Sequence, residues 1–156
     1  MDKKIPKNYF VTYARGDKKI ASKLLEDLDI HLLLSKQYRF SKWIDDDLLP
    51  DNQGYHEKII DALKESDFAL VLATPRYFTR QYILDHEIPP LMRDENRKLG
   101  IIVGLEKVDF AHHDLQGFEK FQFHRYNGKF YEECNKAEKR AFVSSLFVTI
   151  ERILGQ

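Results

Sequence analysis

Two short apolar runs are the feature of this sequence that most limits its fold. They are Phe68-Ala69-Leu70-Val71-Leu72-Ala73-Thr74 and Leu99-Gly100-Ile101-Ile102-Val103-Gly104-Leu105. A run of this length and apolarity is typical of a strand that is buried on both faces, as in the centre of a parallel sheet. The sequence therefore predicts two central strands, over residues 68–74 and 99–105.

Strand-like and helical patterns alternate along the rest of the chain. Further strands are predicted over residues 9–13, 39–44 and 121–124, and helices over 20–32, 59–66, 82–88 and 135–155. Asp17 is expected to cap the first helix, and Asn135 with Glu138 has the spacing of a capping box for the last one. Alternating strands and helices favour an α/β fold, a parallel sheet with helices on both faces.

Polar segments follow each predicted strand, and they mark where a site is expected. They are residues 14–17, 45–54, 75–79, the segment from 106 onward and the segment after 124. In open parallel sheets, ligands bind outside the carboxyl ends of the strands. We therefore expect any site in this chain to draw its residues from these segments.

Composition excludes several classes of protein. Lys and Arg number 25 and so do Asp and Glu, so the chain lacks the basic excess of a dedicated nucleic-acid binder. The single cysteine, Cys134, excludes an internal disulfide and indicates a reducing compartment. No apolar run approaches the roughly 20 residues that span a bilayer, and no signal peptide is visible. We expect one cytoplasmic domain over residues 1–156, with no direct nucleic-acid partner and no membrane contact.

Four segments stand out by their order and spacing. They are residues 9–14, residues 43–54, residues 59–75 with their Thr-Pro ending, and Tyr82-Ile83-Leu84-Asp85-His86-Glu87. Together they resemble a bacterial Toll/interleukin receptor (TIR) domain over about residues 8–154. In that family the first segment resembles the opening strand, the second resembles the second strand with the BB loop, and the third resembles the next helix and strand. The fourth segment resembles the motif that holds the glutamate of enzymatic members.

The resemblance implies both a fold and a choice of functions. The fold is a flavodoxin-like three-layer sandwich, with a five-stranded parallel sheet of order 2-1-3-4-5 and helices on both faces. Some TIR domains are adaptors that pair with other TIR domains through the BB loop. Others cleave NAD+ as a substrate, without a further cofactor, and give nicotinamide with either ADP-ribose or a cyclised ADP-ribose.

The enzymatic branch also implies partners. Bacterial members often act in anti-phage defence, where a fused or separate sensor switches the domain on. They act as self-associated assemblies, in which the BB loop of one copy completes the site of its neighbour. A Gly-x-Gly-x-x-Gly phosphate loop is absent after the first strand, which disfavours a dinucleotide-dependent dehydrogenase.

Glu87 is the catalytic candidate. NAD+ carries a cationic pyridinium leaving group, so its cleavage needs mainly a negative group that stabilises an oxocarbenium-like transition state. Helical spacing places Leu84, Ile88 and Leu91 on a buried stripe, with Ile83 and Glu87 at its edge. The alternative is an ordinary helix glutamate, half exposed and paired with His86, Arg80 or Arg93.

The candidate substrate-binding residues are Tyr13, Ala14, Arg15, Trp43, Asp45 and Ile83. Arg15 can bind a pyrophosphate through paired hydrogen bonds, although a surface ion pair with Asp17 or Asp46 is an equal alternative. Asp45 can hold ribose or adenine groups while Trp43 supplies a stacking surface. Alternatively, Asp45 begins a solvated loop and Trp43 is an ordinary core residue. For Tyr13 and Ala14, the alternative is packing within the sheet.

Neither of two acidic or histidine-rich stretches predicts a metal site. Asp45, Asp46 and Asp47 lack the alternate spacing of a hard-cation loop. His112-His113-Asp114 has no third ligand at a matching spacing. We therefore expect no bound metal.

Overall fold

Strands and helices alternate along the part of the chain that the computed structural model describes, which is residues 3–44, 61–79 and 99–155. The strands are β1 (Ile5–Thr12), β2 (Tyr38–Ile44), β3 (Phe68–Ala73), β4 (Leu99–Gly104) and β5 (Phe123–His124). Helix α1 (Lys18–Leu33) and a C-terminal helix (Lys136–Leu154) are the long helices of the described residues. Residues 61–65 are also helical.

The described strands form one parallel sheet in the order β2-β1-β3-β4-β5. This confirms the fold class and the strand order expected from the resemblance. Both apolar runs are central strands, and every residue of β3 is buried. The predicted bounds of two strands were less accurate. The strand predicted over residues 9–13 begins at Ile5, and the one predicted over 121–124 contains only two residues.

Alternate residues of the central strands feed two separate cores. Tyr9, Val11, Phe68, Leu70 and Ile101 pack with α1 and the C-terminal helix on one face of the sheet. On the other face, Phe10, Ala69, Val71 and Ile102 pack with Ala62, Leu63 and residues from the 108–130 region. This alternation is the period of two expected for strands covered on both sides.

The two long helices begin differently. Asn135 Oδ1 accepts a hydrogen bond from the Glu138 N–H, and Glu138 Oε1 accepts one from the Asn135 N–H, each at 2.9 Å, which confirms the predicted capping box. Asp17 occupies the N-cap position of α1, but its side chain makes no capping hydrogen bond. The prediction of a capping role for that carboxylate was wrong, because its oxygens bind Thr74 and Arg76 in the segment that follows β3.

His124 joins the short strand β5 to the C-terminal helix. Its Nε2 lies 3.1 Å from Ser145 Oγ and 3.4 Å from the Phe142 carbonyl oxygen, and its ring meets the Phe142 ring edge to face. Burial lowers the pKa of His124 below its ordinary value of 6.5. The folded protein therefore holds this imidazole neutral at a pH where the unfolded chain begins to protonate it.

Stability should fall as the pH drops below about 6.5, and His124 should account for part of the loss. The unfolded chain then gains protons at His124 before the folded protein does, and this continues down to the lower pKa of the folded state. Urea unfolding of wild type and His124→Gln at pH 7.5 and 5.5 should show a smaller loss in the variant. His112→Gln, on an exposed loop, is the control. An equal loss in wild type and His124→Gln would contradict this prediction.

Candidate functional site

The strand order reverses direction between β1 and β3. In open parallel sheets, the carboxyl ends of the strands at such a seam are where ligands bind. The loop after β1 supplies Ala14, Arg15, Gly16 and Asp17 to the seam. The segment after β3 supplies residues 74–76. Two of the predicted site segments, 14–17 and 75–79, therefore meet at the position where this type of sheet binds ligands.

A buried carboxylate connects these two segments. Asp17 Oδ2 accepts a hydrogen bond from Thr74 Oγ1 at 2.5 Å, and Asp17 Oδ1 accepts one from Arg76 Nη1 at 2.8 Å. The side chain of Asp17 is fully buried, whereas that of Arg76 is 64% exposed. A buried charge without partners would cost several kcal/mol, so this pairing fixes the relative position of the two loops.

Local backbone geometry brings these side chains together. Ala14 is extended, and residues 15–17 form one 3₁₀ turn in which the Asp17 N–H binds the Ala14 carbonyl at 2.8 Å. The Tyr77 N–H approaches both the carbonyl oxygen and Oγ1 of Thr74 at 3.1 Å, which turns the chain after β3. A Cβ atom at Gly16 would lie 3.2 Å from Arg76 Cδ, so the absence of a side chain there leaves room for the arginine.

A second carboxylate, Glu106, stands beside this pair after β4. Its Oε1 lies 4.0 Å from Arg76 Nη1. Partial burial, followed by the like charges of Asp17 and Glu132, raises the pKa of Glu106, and Arg76 opposes that rise. The carboxyl edge of β1, β3 and β4 therefore carries one arginine between two acidic side chains.

The described candidate residues occupy different environments. Tyr13 and Ala14 are both buried, at 3% exposure, on opposite faces of the sheet. Arg15 is exposed at the start of the 3₁₀ turn. Trp43 is half buried near the end of β2, and its ring stacks on Phe10 with centroids 5.0 Å apart and planes 13° apart. One face of the Trp43 indole is therefore already used in the core.

Asp45, Ile83 and Glu87 lie outside the described residues, as does the BB-loop segment 45–54. The roles assigned to them from the sequence stay predictions. Among the described residues, no group of three or more His, Cys, Asp or Glu side chains is arranged to hold a metal ion. Cys134 is buried with its Sγ 3.5 Å from the Phe130 carbonyl, and burial raises the pKa of its thiol.

Sequence reasoning missed the roles of Asp17, Thr74, Arg76 and Glu106. Their signal was their position, since Asp17, Arg76 and Glu106 follow predicted strands and Thr74 is the last residue of one. The residue pairs are separated by 57 and 59 positions, so no local spacing rule connects them. A systematic search for charged residues directly after each apolar strand would have found Arg76 and Glu106.

Thr74→Val should destabilise the protein by about 1.5–3 kcal/mol, because it removes a hydrogen bond to a buried charged group. Thr79→Val is the matched control, since the Thr79 hydroxyl is exposed and its hydrogen bond within the described ranges goes to the backbone carbonyl of Arg76. We expect the control to stay within about 0.5 kcal/mol of wild type in urea unfolding. If the two variants lose the same free energy of unfolding, the hydrogen bond from Thr74 to Asp17 stabilises the protein no more than an exposed hydrogen bond does.

Comparison with known proteins identifies the family. A family model described as TIR domain matches residues 10–137, which is most of the chain. A search of curated proteins found no match. None of the helices in the described ranges has the length and apolar character needed to cross a membrane. On the extent of the family match and on the parallel sheet of order 2-1-3-4-5, this chain belongs to the TIR domain family.

Proposed function

We propose that this chain is an NAD+ glycohydrolase that cleaves the nicotinamide–ribose bond of NAD+. The observation that carries the proposal is that the TIR match includes both the polar residues that follow β1 and β3 and the segment with Glu87. The family includes NAD+-cleaving members, and seams of this type bind nucleotides in flavodoxin-like sheets. Glu87 follows the described 3₁₀ turn Tyr77–Thr79 by eight positions, on the continuation of the chain from β3.

The proposed reaction breaks the C1′–N bond of the nicotinamide riboside unit. The bonding electron pair leaves with the pyridinium nitrogen, which becomes neutral nicotinamide. Positive charge develops on the ribose, and the Glu87 carboxylate stabilises it. Water then adds to C1′ and releases a proton to give ADP-ribose. In the cyclising alternative, a nitrogen of the adenine ring of the same molecule adds to C1′ instead.

Self-association is part of the proposal, and one described surface favours it. A cleft of about 400 Å³ lies beside β5 and the C-terminal helix, and Arg125 and Arg152 are among its lining residues. The segment 45–54 carries four aspartates within ten residues. An acidic BB loop from one copy would complement this basic cleft on the next.

The same family membership extends the proposal to a biological role. The chain would act as the effector of a bacterial anti-phage defence system, with its activity switched on by self-assembly under a fused or separate sensor. The competing function is a non-catalytic adaptor that pairs with other TIR domains through segment 45–54. The basic cleft fits both functions, so turnover of NAD+ is the property that separates them.

Glu87→Gln should abolish nicotinamide release from NAD+, with a loss of about 100-fold or more, because the fixed negative charge at the reacting sugar is removed. The measurement is chromatography of NAD+, nicotinamide and ADP-ribose after incubation at high protein concentration with a crowding agent. Far-UV circular dichroism checks that the variant is folded. Glu65→Gln, an exposed carboxylate two residues before Asp67, should leave the rate unchanged.

Two results would contradict the enzymatic proposal. One is wild-type protein that is assembled, as judged by light scattering, and yet releases no nicotinamide. The other is a Glu87→Gln variant that retains the wild-type rate. Assembly without turnover would favour the adaptor function.

Arg152→Glu should weaken self-association, because it reverses one of the two charges expected to bind the acidic loop. Light scattering should show a shift toward the monomer, and nicotinamide release should fall with it at equal protein concentration. Arg140→Glu on the exposed side of the same helix makes the same charge change outside the cleft lining. If both variants assemble as wild type does, the cleft is not the docking site.

A further inference from the structure

We propose that Arg76 forms a diphosphate-binding subsite at the seam between β1 and β3, with Asp17 as the residue that positions it. The inference rests on the proposed function for the identity of the ligand, which is the diphosphate of NAD+ and of its product ADP-ribose. From the sequence, Arg15 was the candidate for binding the pyrophosphate, with a surface ion pair as the equal alternative. The structure adds a second arginine, from the neighbouring strand end.

The Arg76 side chain is fixed by Asp17 and yet stays open to solvent. One guanidinium nitrogen, Nη1, donates to the buried Asp17 carboxylate, and the missing side chain of Gly16 leaves room for the Arg76 stem, because a Cβ atom there would lie 3.2 Å from Arg76 Cδ. The side chain nevertheless remains 64% exposed. Beyond Asp17 and the longer 4.0 Å approach to Glu106, the described residues give the guanidinium no further partner. An anchored arginine with outward N–H groups loses little conformational entropy when it binds a ligand.

The guanidinium of Arg76 also suits a diphosphate in its chemistry. A guanidinium presents five N–H donors in a rigid planar fork, and this geometry matches phosphate oxygens. Asp17 uses only one of the guanidinium nitrogens, so the remaining donors can bind a diphosphate from the solvent side. The contact with Glu106 joins two solvent-accessible groups at 4.0 Å, and such a contact is broken at little cost when an anion arrives.

Arg76 and Arg15 come from the ends of neighbouring strands. Arg76 follows β3 and Arg15 follows β1, and these strands are hydrogen-bonded neighbours with Thr12 opposite Val71. Both arginines therefore follow strands that meet at this seam, which is where a flavodoxin-like sheet binds nucleotides.

The test measures ADP-ribose binding, which requires no turnover. Isothermal titration of wild type and Arg76→Gln should show affinity about 10- to 100-fold weaker in the variant, the loss expected for hydrogen bonds to a charged group. The ³¹P chemical shifts of ADP-ribose at saturation should also differ between the two proteins, because the shift reports directly on the diphosphate. Arg39→Gln removes an exposed arginine from β2, away from the seam, and should bind as wild type does.

A double variant separates ligand binding from structural support. Arg76→Gln alone leaves the buried Asp17 without its counter-ion and should lower the melting temperature. Asp17→Asn with Arg76→Gln removes both charges and should recover most of that temperature, while ADP-ribose binding stays weak. If the double variant recovers affinity together with stability, Arg76 serves only to neutralise Asp17 and the inference is wrong.

The outcomes also distinguish this inference from the proposed function. Wild type that binds ADP-ribose through Arg76 but does not cleave NAD+ would refute the enzyme and keep the subsite. Wild type that cleaves NAD+ while Arg76→Gln binds ADP-ribose normally would refute the subsite and keep the enzyme. Wild type that binds no ADP-ribose would overturn the subsite, whatever its turnover.

Discussion

The pairing of one buried carboxylate, Asp17, is the interaction on which the carboxyl edge of this sheet depends. Asp17 is fully buried, and its two oxygens are satisfied by Thr74 and Arg76. Because removing either partner would leave a charge or a strong acceptor unsatisfied, the loop after β1 and the segment after β3 have one favoured relative position. The seam between the two strand ends is therefore built around an interaction that spans it.

The sheet itself explains why this interaction forms at that place. Both faces of β3 and of the second half of β1 are covered, so their apolar side chains pack in two cores. Polar and charged groups find solvent only where the strands end, and adjacent parallel strands end together. The position of Arg76 satisfies both conditions, because its guanidinium binds the buried Asp17 on one side and is exposed to water on the other. The same arrangement makes it available to an anionic ligand.

The sequence was informative where a physical rule acts over a short distance. Apolar runs predicted β3 and β4, the Asn135–Glu138 spacing predicted the last helix start, and the order of motifs predicted the family and the strand order. It failed for Asp17, because a capping rule considers only neighbours in the chain, and two partners more than fifty residues away took the carboxylate instead. For Glu87 the sequence offers a role, and its surroundings lie outside the described residues.

The most direct test of the account is a crystal structure of the Glu87→Gln variant with NAD+ bound. The account predicts the diphosphate within hydrogen-bonding distance of the Arg76 guanidinium, between the ends of β1 and β3, with C1′ of the nicotinamide ribose beside residue 87. A dinucleotide bound elsewhere on the sheet, or one whose nicotinamide ribose lies far from residue 87, would contradict it.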